Sequence, residues 1–212
     1  MARKMHERPV RDKFYILTNG KQTEINYFTL LKSKKSLYDV KIKFENADPV
    51  GLVEAARYHI EESNQVWVVF DVDNSHQEGR LSLALTLAEK YGIEVAFSNL
   101  AFEVWLISHF EKCSKELDTN GHTKILNKYL KECGCSVEYD KCSAEQLQHY
   151  FVPHYKQACE NAKVVFQRRM KEHNEQYGEN AHPRYWEWNS CTTVFKLVEA
   201  LKLTGEEQSY QL

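Results

Sequence analysis

Hydrophobic and polar positions alternate in two rhythms along the first half of the chain. Lys13–Thr18 (KFYILT) reads as a short apolar strand, and Gln22–Leu31 carries the spacing of a helix. Tyr38–Phe44 (YDVKIKF) alternates with period two, as a half-buried strand does. Asp48-Pro49 supplies an N-cap and a proline at the first helical position, opening a helix to about Glu62. Gln65–Phe70 (QVWVVF) is a continuous apolar run rich in β-formers, the pattern of a central parallel strand covered on both faces. A loop containing Asn74, Ser75 and Gly79 leads into a helix that ends at Tyr91, stopped by Gly92. Ile93–Phe97 is the next strand, and Ser98 or Asn99 is expected to cap a helix to about Phe110.

This β-α order predicts an α/β fold with a mostly parallel, doubly wound sheet, helices on both faces, and ligands beyond the carboxyl ends of the strands. After about Glu111 the rhythm becomes helical, at roughly Lys124–Glu132, Ala144–Tyr150, Val152–Glu172 and Thr192–Leu203. The linker HNEQYGENAHPRYWEWNS precedes the last of these. The expected organisation is a basic arm over residues 1–12, an α/β core over 13–112, and a C-terminal helical addition over 113–212 packed on the core.

Composition narrows the class. The chain of 212 residues is 42% hydrophobic and 12% aromatic, enough for a sizeable core and too apolar for global disorder. No stretch approaches the roughly 20 apolar residues of a membrane span, and the charged start MARKMHERPVRDK lacks the apolar segment of a secretory signal, so a cytoplasmic protein is expected. The formal charge of −2 gives no bulk attraction to polyanions, although residues 2–13 and Lys163–Lys171 are locally basic. The six cysteines form no CxxC pair and read as reduced thiols. Cys133, Cys135, Cys142, His149 and His154 could be assembled into a zinc site, but their spacing matches no standard knuckle.

Candidate chemistry concentrates at strand ends. Asp71 and Asp73 follow the best-defined strand as FDVDN, and alternation points both carboxylates the same way, toward one hard cation. The ordinary alternative is that aspartates favour turns. Glu103 lies in the apolar helix LAFEVWLISHF, where an unpaired carboxylate needs a cation, a metal or a proton unless it reaches solvent from the first turn. His109 in the same helix suits either a hydrogen-bonded core position or a functional one. Glu24 opens a helix and either matches its dipole or faces the same strand ends as Asp71. Gly20 permits a tight turn or the close approach of a ligand. Late in the chain, Arg184 with His182, Tyr185, Trp186 and Trp188 could clamp a nucleic acid, or simply staple the last helix to the body.

Together TNGKQTEINYF, VFDVDN, SNLAFEVWLISHF and NSCTTVFKLVEAL resemble the RloB-like family, in order and spacing over residues 11–203. That family is similar to TOPRIM proteins, whose acids bind Mg2+ for phosphodiester chemistry. The resemblance implies a TOPRIM-like, Mg2+- or Mn2+-dependent nuclease of a bacterial anti-phage, abortive-infection system. It also implies a nucleic-acid substrate, RNA such as tRNA before DNA, and an ABC/SMC-type ATPase as partner. Under it, Asp71 and Asp73 match the DxD, Glu24 the acid of a Thr-Glu pair, and Glu103 the acid of a Ser-Asn-Pro-x-Phe-Glu-x-Trp motif. Asp71, Asp73 and Glu103 would then be metal ligands and Glu24 a further ligand or base. Asn19, Gly20 and Lys21 would form the phosphate-facing turn, with His109 and Arg184 as further nucleic-acid contacts.

Two positions depart from the pattern. Leu100 stands where the family has proline, and Asn19 stands where its Glu-Gly pair places the TOPRIM glutamate. An amide removes a negative ligand and a possible base, so a non-catalytic binding or regulatory subunit is the competing expectation.

Overall fold

Strands whose side chains are apolar on both faces can be stable only with helices on both sides, and that requirement organises the molecule. The computed structural model describes residues 12–33, 36–73 and 79–203; the basic arm, apart from Asp12, and the Asn74–Ser75 loop expected from the sequence lie outside them. In chain order the elements are β1 (Lys13–Thr18), α1 (Thr23–Lys32), β2 (Asp39–Phe44), α2 (Pro49–Arg57), β3 (Gln65–Asp71), α3 (Arg80–Tyr91) and β4 (Glu94–Asn99). They continue with α4 (Glu103–Ile107), α5 (Thr119–Glu132), α6 (Ala144–Gln146), α7 (Tyr155–Tyr177), β5 (Cys191–Thr192) and α8 (Val194–Ala200). The sheet order is β2-β1-β3-β4-β5, with the first four strands parallel and β5 antiparallel to β4.

Alternation along each strand builds two cores. Phe14 and Ile16 of β1, Trp67 and Val69 of β3, and Ala96 of β4 face α1, α4, α5, α7 and α8. Tyr15, Leu17, Val66, Val68, Phe70 and Phe97 face α2 and α3. The doubly wound arrangement expected from the sequence is the one observed. The order of strand connection switches between β1 and β3, the place where sheets of this kind handle ligands beyond their carboxyl ends.

Several boundaries follow their predicted signals. Asp48 accepts a hydrogen bond from the Gly51 N–H at 3.0 Å, with Pro49 opening α2. Gly92, at φ 67°, ends α3 by donating to Glu89 O at 3.2 Å.

Others differ for identifiable reasons. α2 stops at Arg57, where the chain tightens into i→i+3 bonds such as His59 N–H to Ala56 O. Neither Ser98 nor Asn99 caps α4; both belong to β4, and their side chains reach the C-terminal half. Ser98 Oγ pairs with Thr192 Oγ1 at 2.9 Å, and Asn99 Nδ2 donates to the carbonyls of Tyr185 and Trp186 at 2.8 and 3.0 Å. The long helix begins at Tyr155, because Pro153 lacks the N–H an α-helix would need there; a π turn over Leu147–Phe151 and a 3-10 turn over Val152–His154 precede it.

The last expected helix begins two residues late, at Val194, because Thr192 belongs to β5. Thr193 N–H donates to Phe97 O at 2.8 Å and Thr193 Oγ1 accepts from Phe97 N–H at 2.9 Å, which adds a fifth strand to the sheet. The aromatic linker acts as the staple. Tyr185 packs on Phe97 at 4.7 Å between ring centroids, and buried Trp188 packs on Phe166 and His173 at 5.8 and 5.9 Å. No helix among the described residues is long and apolar enough to cross a membrane.

Candidate acidic site at the carboxyl edge of the sheet

The alternation that builds the core also aims the site. Asp71 is two residues beyond Val69 and therefore leaves β3 toward the face covered by α1 and α4. α1 carries Glu24 in its first turn, and α4 carries Glu103 at its first residue. Both helices are held against the sheet by aromatic packing. Tyr27 and Phe28 of α1 meet Phe102 at 5.7 and 6.0 Å, and Tyr27 meets Trp105 of α4 at 6.0 Å. Two carboxylates far apart in sequence are thus brought beside Asp71, and both are buried: Glu24 is 7% exposed and Glu103 3%.

The electrostatics record that convergence. Burial pushes the Asp71 carboxyl well above its ordinary value, and the charges of Glu24 and Glu103, and more weakly Asp73, push it further. Glu24 is also raised, first by burial and then by Glu103, against the pull of its own backbone N–H and of Lys141. Asp73 stands at the rim. It is exposed, with φ 25°, so the turn has already left the strand geometry that would aim it parallel to Asp71.

Gly20 is explained by contact rather than by φ. A methyl group at Gly20 would lie 1.8 Å from Glu24 Cδ, so the bare backbone is what lets the Glu24 carboxylate fold back against the turn. Asn19 continues the ladder, its N–H donating to Val69 O at 3.2 Å, and its side chain is half-buried. Lys21 is exposed beside it.

Two residues assigned to nucleic-acid contact are already engaged by groups of the protein. His109 is 3% exposed inside the core, with Nε2 paired to Tyr27 Oη at 3.1 Å and Nδ1 to the carbonyls of Trp105 and Leu106. Burial lowers it to about 3, so it is neutral, and with both nitrogens occupied it offers nothing to a phosphate. Arg184 is exposed, but it is engaged within its own segment, donating to Glu187 at 2.8 Å and to Tyr177 Oη at 3.2 Å. The six cysteines are unpaired thiols, and Cys133, Cys135, Cys142, His149 and His154 do not assemble into a zinc site.

A residue with no sequence signal completes the cluster. Lys141 Nζ lies 2.7 Å from Glu103 Oε1, and Tyr139 Oη donates to the same oxygen at 3.2 Å. Burial alone would depress the Lys141 ammonium, but Glu103, Asp71 and Glu24 outweigh it and raise it. YDKC lies in an irregular stretch between two helices, where no periodicity marks a side chain as inward-facing.

The donors suit a hard divalent cation, being carboxylate oxygens with strong mutual repulsion to relieve. Among the described residues, however, no three His, Cys, Asp or Glu side chains stand as a ready cage, and Lys141 is the positive charge seated on Glu103.

A mostly parallel α/β sheet with acids gathered beyond its β1 and β3 ends has the architecture of a TOPRIM-like protein. More particularly, the chain belongs to the RloB-like family, whose family model, described as RloB-like protein, matches residues 14–201. No curated protein and no solved structure matches the chain.

Proposed function

We propose that the protein is a metal-dependent nuclease, cleaving RNA such as tRNA in preference to DNA, and acting as the effector of an anti-phage system beside an ABC/SMC-type ATPase. The observation that carries this reading is the convergence of Glu24, Asp71 and Glu103 from three separate elements at the carboxyl edge of a parallel sheet. Carboxylates crowded this way are costly unless cations offset them, and with Lys141 paired to Glu103 the Glu24 and Asp71 carboxyls still stay raised. Glu24, Asp71 and Glu103 would hold Mg2+ or Mn2+, with Asp73 joining from the rim. When bound, such an ion neutralises charge on the scissile phosphate and lowers the pKa of an attacking water. Asp71 would orient the ion from the rigid end of β3. Glu24, folded back against the bare Gly20 backbone, would either complete the donor set or accept the water's proton.

Incubation of tRNA, total RNA and DNA with Mn2+ tests the reading: cleavage should require the ion and disappear in Asp71→Ala. Retained cleavage in that variant removes the site assignment. Gly20→Ala is a sharper probe of geometry. Its methyl displaces the end of a flexible side chain, so the melting temperature should move by no more than about 2 °C. Mn2+ affinity, measured by calorimetry, should fall about tenfold as Glu24 is pushed out of place. Unchanged Mn2+ affinity would take Glu24 out of the donor set.

Asn19 favours a second reading, a subunit that binds nucleic acid or nucleotide without cutting it. This reading predicts partner binding with no metal-dependent turnover in the wild type and a gain of cleavage in Asn19→Glu, as the missing carboxylate returns. Wild-type turnover that Asn19→Glu leaves unchanged would exclude it.

A further inference from the structure

The acidic cluster presents a difficulty for any nucleic-acid ligand. Glu24, Asp71, Asp73 and Glu103 together repel a polyanion, while Arg184 is paired with Glu187 and His109 is neutral in the core. Among the described residues, Lys141 is a cation in contact with the cluster. Its side chain is 55% exposed, so the ammonium touches Glu103 on one side and solvent on the other.

Its position is built rather than incidental. The Lys141 carbonyl accepts from Thr23 Oγ1 at 2.8 Å, one residue before Glu24. Cys142 Sγ meets Gln22 Oε1 at 2.7 Å, and the Cys142 carbonyl accepts from Asn26 Nδ2 at 3.4 Å. On the other side, the Tyr139 N–H donates to Asn127 Oδ1 at 2.6 Å, and the Asp140 N–H donates to Gln146 Oε1 at 3.0 Å. The segment is therefore tied to the opening of α1, to α5 and to α6. These bonds fix the backbone on both sides of Lys141, so its side chain is delivered to the acids from a set position while its ammonium keeps a face to solvent.

From this geometry we infer that Lys141 is a substrate-contacting residue of the acidic site, its ammonium passing from Glu103 to a non-bridging phosphate oxygen of bound nucleic acid. The inference rests on the nuclease reading for the identity of the ligand. The exchange moves no proton and breaks no covalent bond: one charge-assisted hydrogen bond to a carboxylate is replaced by one to a phosphate. A flexible four-carbon stem carrying three donors suits such a transfer better than a planar guanidinium. The exchange would also leave a Glu103 oxygen without its ammonium partner and available as a donor.

The test measures binding apart from cleavage. A short fluorescein-labelled single-stranded RNA is titrated against wild type, Lys141→Met and Lys141→Arg with Ca2+ in place of the catalytic ion, and Mn2+ alone is titrated by calorimetry. Lys141→Met should bind the RNA about tenfold more weakly, with Lys141→Arg recovering much of the loss and Mn2+ affinity undiminished. If Lys141→Met binds RNA as tightly as wild type, or loses RNA and Mn2+ binding together with thermal stability, the assignment is overturned and Lys141 is structural. A wild type that binds no RNA overturns it as well. A wild type that binds RNA through Lys141 but cleaves nothing leaves the assignment standing and removes only the turnover.

Discussion

Asp71→Asn is expected to stabilise the metal-free protein at neutral pH and to abolish most of its response to divalent ions. Asp71 has a folded pKa well above its ordinary value of 3.8, because burial and the charges of Glu24 and Glu103 oppose its ionisation. For such a group the stabilising contribution is complete below the unfolded pKa and is lost as pH rises through the raised folded value. At neutral pH, above the unfolded value, that contribution is diminished, and an asparagine of nearly the same shape carries no charge for the site to oppose. In EDTA the variant should melt about 3 °C above wild type at neutral pH, corresponding to about 1 kcal/mol for a chain of this size. The difference should shrink as the pH is lowered toward the ordinary carboxylate range, where the wild-type group takes up its proton. Mn2+ should reverse the order. At a hundredfold excess over its Kd it stabilises a protein by about 2.7 kcal/mol, a rise of about 5–10 °C for wild type, and Asp71→Asn should show less than half of that. Scanning calorimetry across pH, with and without Mn2+, reads all three. A variant less stable than wild type at neutral pH would mean that donors hold the carboxylate in its charged form. An equal Mn2+ response would remove Asp71 from the donor set.

The largest loss of stability is expected at Trp105. The side chain is fully buried in α4, ringed by Tyr27 at 6.0 Å and His109 at 5.2 Å, in the core between the sheet and the C-terminal helices. Truncation to alanine should cost about 3–5 kcal/mol and lower the melting temperature by about 10 °C, because neighbours drawn from several elements cannot all collapse into the space. Trp105→Phe should cost less than half as much. The effect reaches the site as well, since α4 is short and carries Glu103 two residues before Trp105. A loss in Trp105→Ala no larger than that in Trp105→Phe would show that α4 is held mainly by other contacts.

How much of this was legible before folding depends on the range of the signal. The four parallel strands, the helices between them and the two-sided burial of β1 and β3 follow from hydrophobic period, caps and Gly92, all of which act within a few residues. The strand-end position of Asp71 was legible for the same reason. β5 was not, because two residues cannot display an alternation, and Thr192 and Thr193 become strand and bridge only when β4 offers its free edge. The start of the helix expected from Val152 was not legible either, because Pro153 falls in a 3-10 turn that separates a π turn from α7. His109 was ambiguous in sequence, and only the positions of Tyr27 and two carbonyls committed it to the core.

The sequence by itself determined an α/β chain of the RloB-like family, an acid at the end of its central strand, and a glycine before a helix that opens with Glu24. Tertiary structure alone decided that Glu24, Asp71 and Glu103 share one low-dielectric space, that Gly20 is bare because the Glu24 carboxylate lies against it, and that Lys141 sits among these acids. The physical reason is separation along the chain. Period and capping encode what each element buries, but the charge–charge interactions that define this site join residues up to 117 positions apart, from Glu24 to Lys141, and come into being only once both cores have closed.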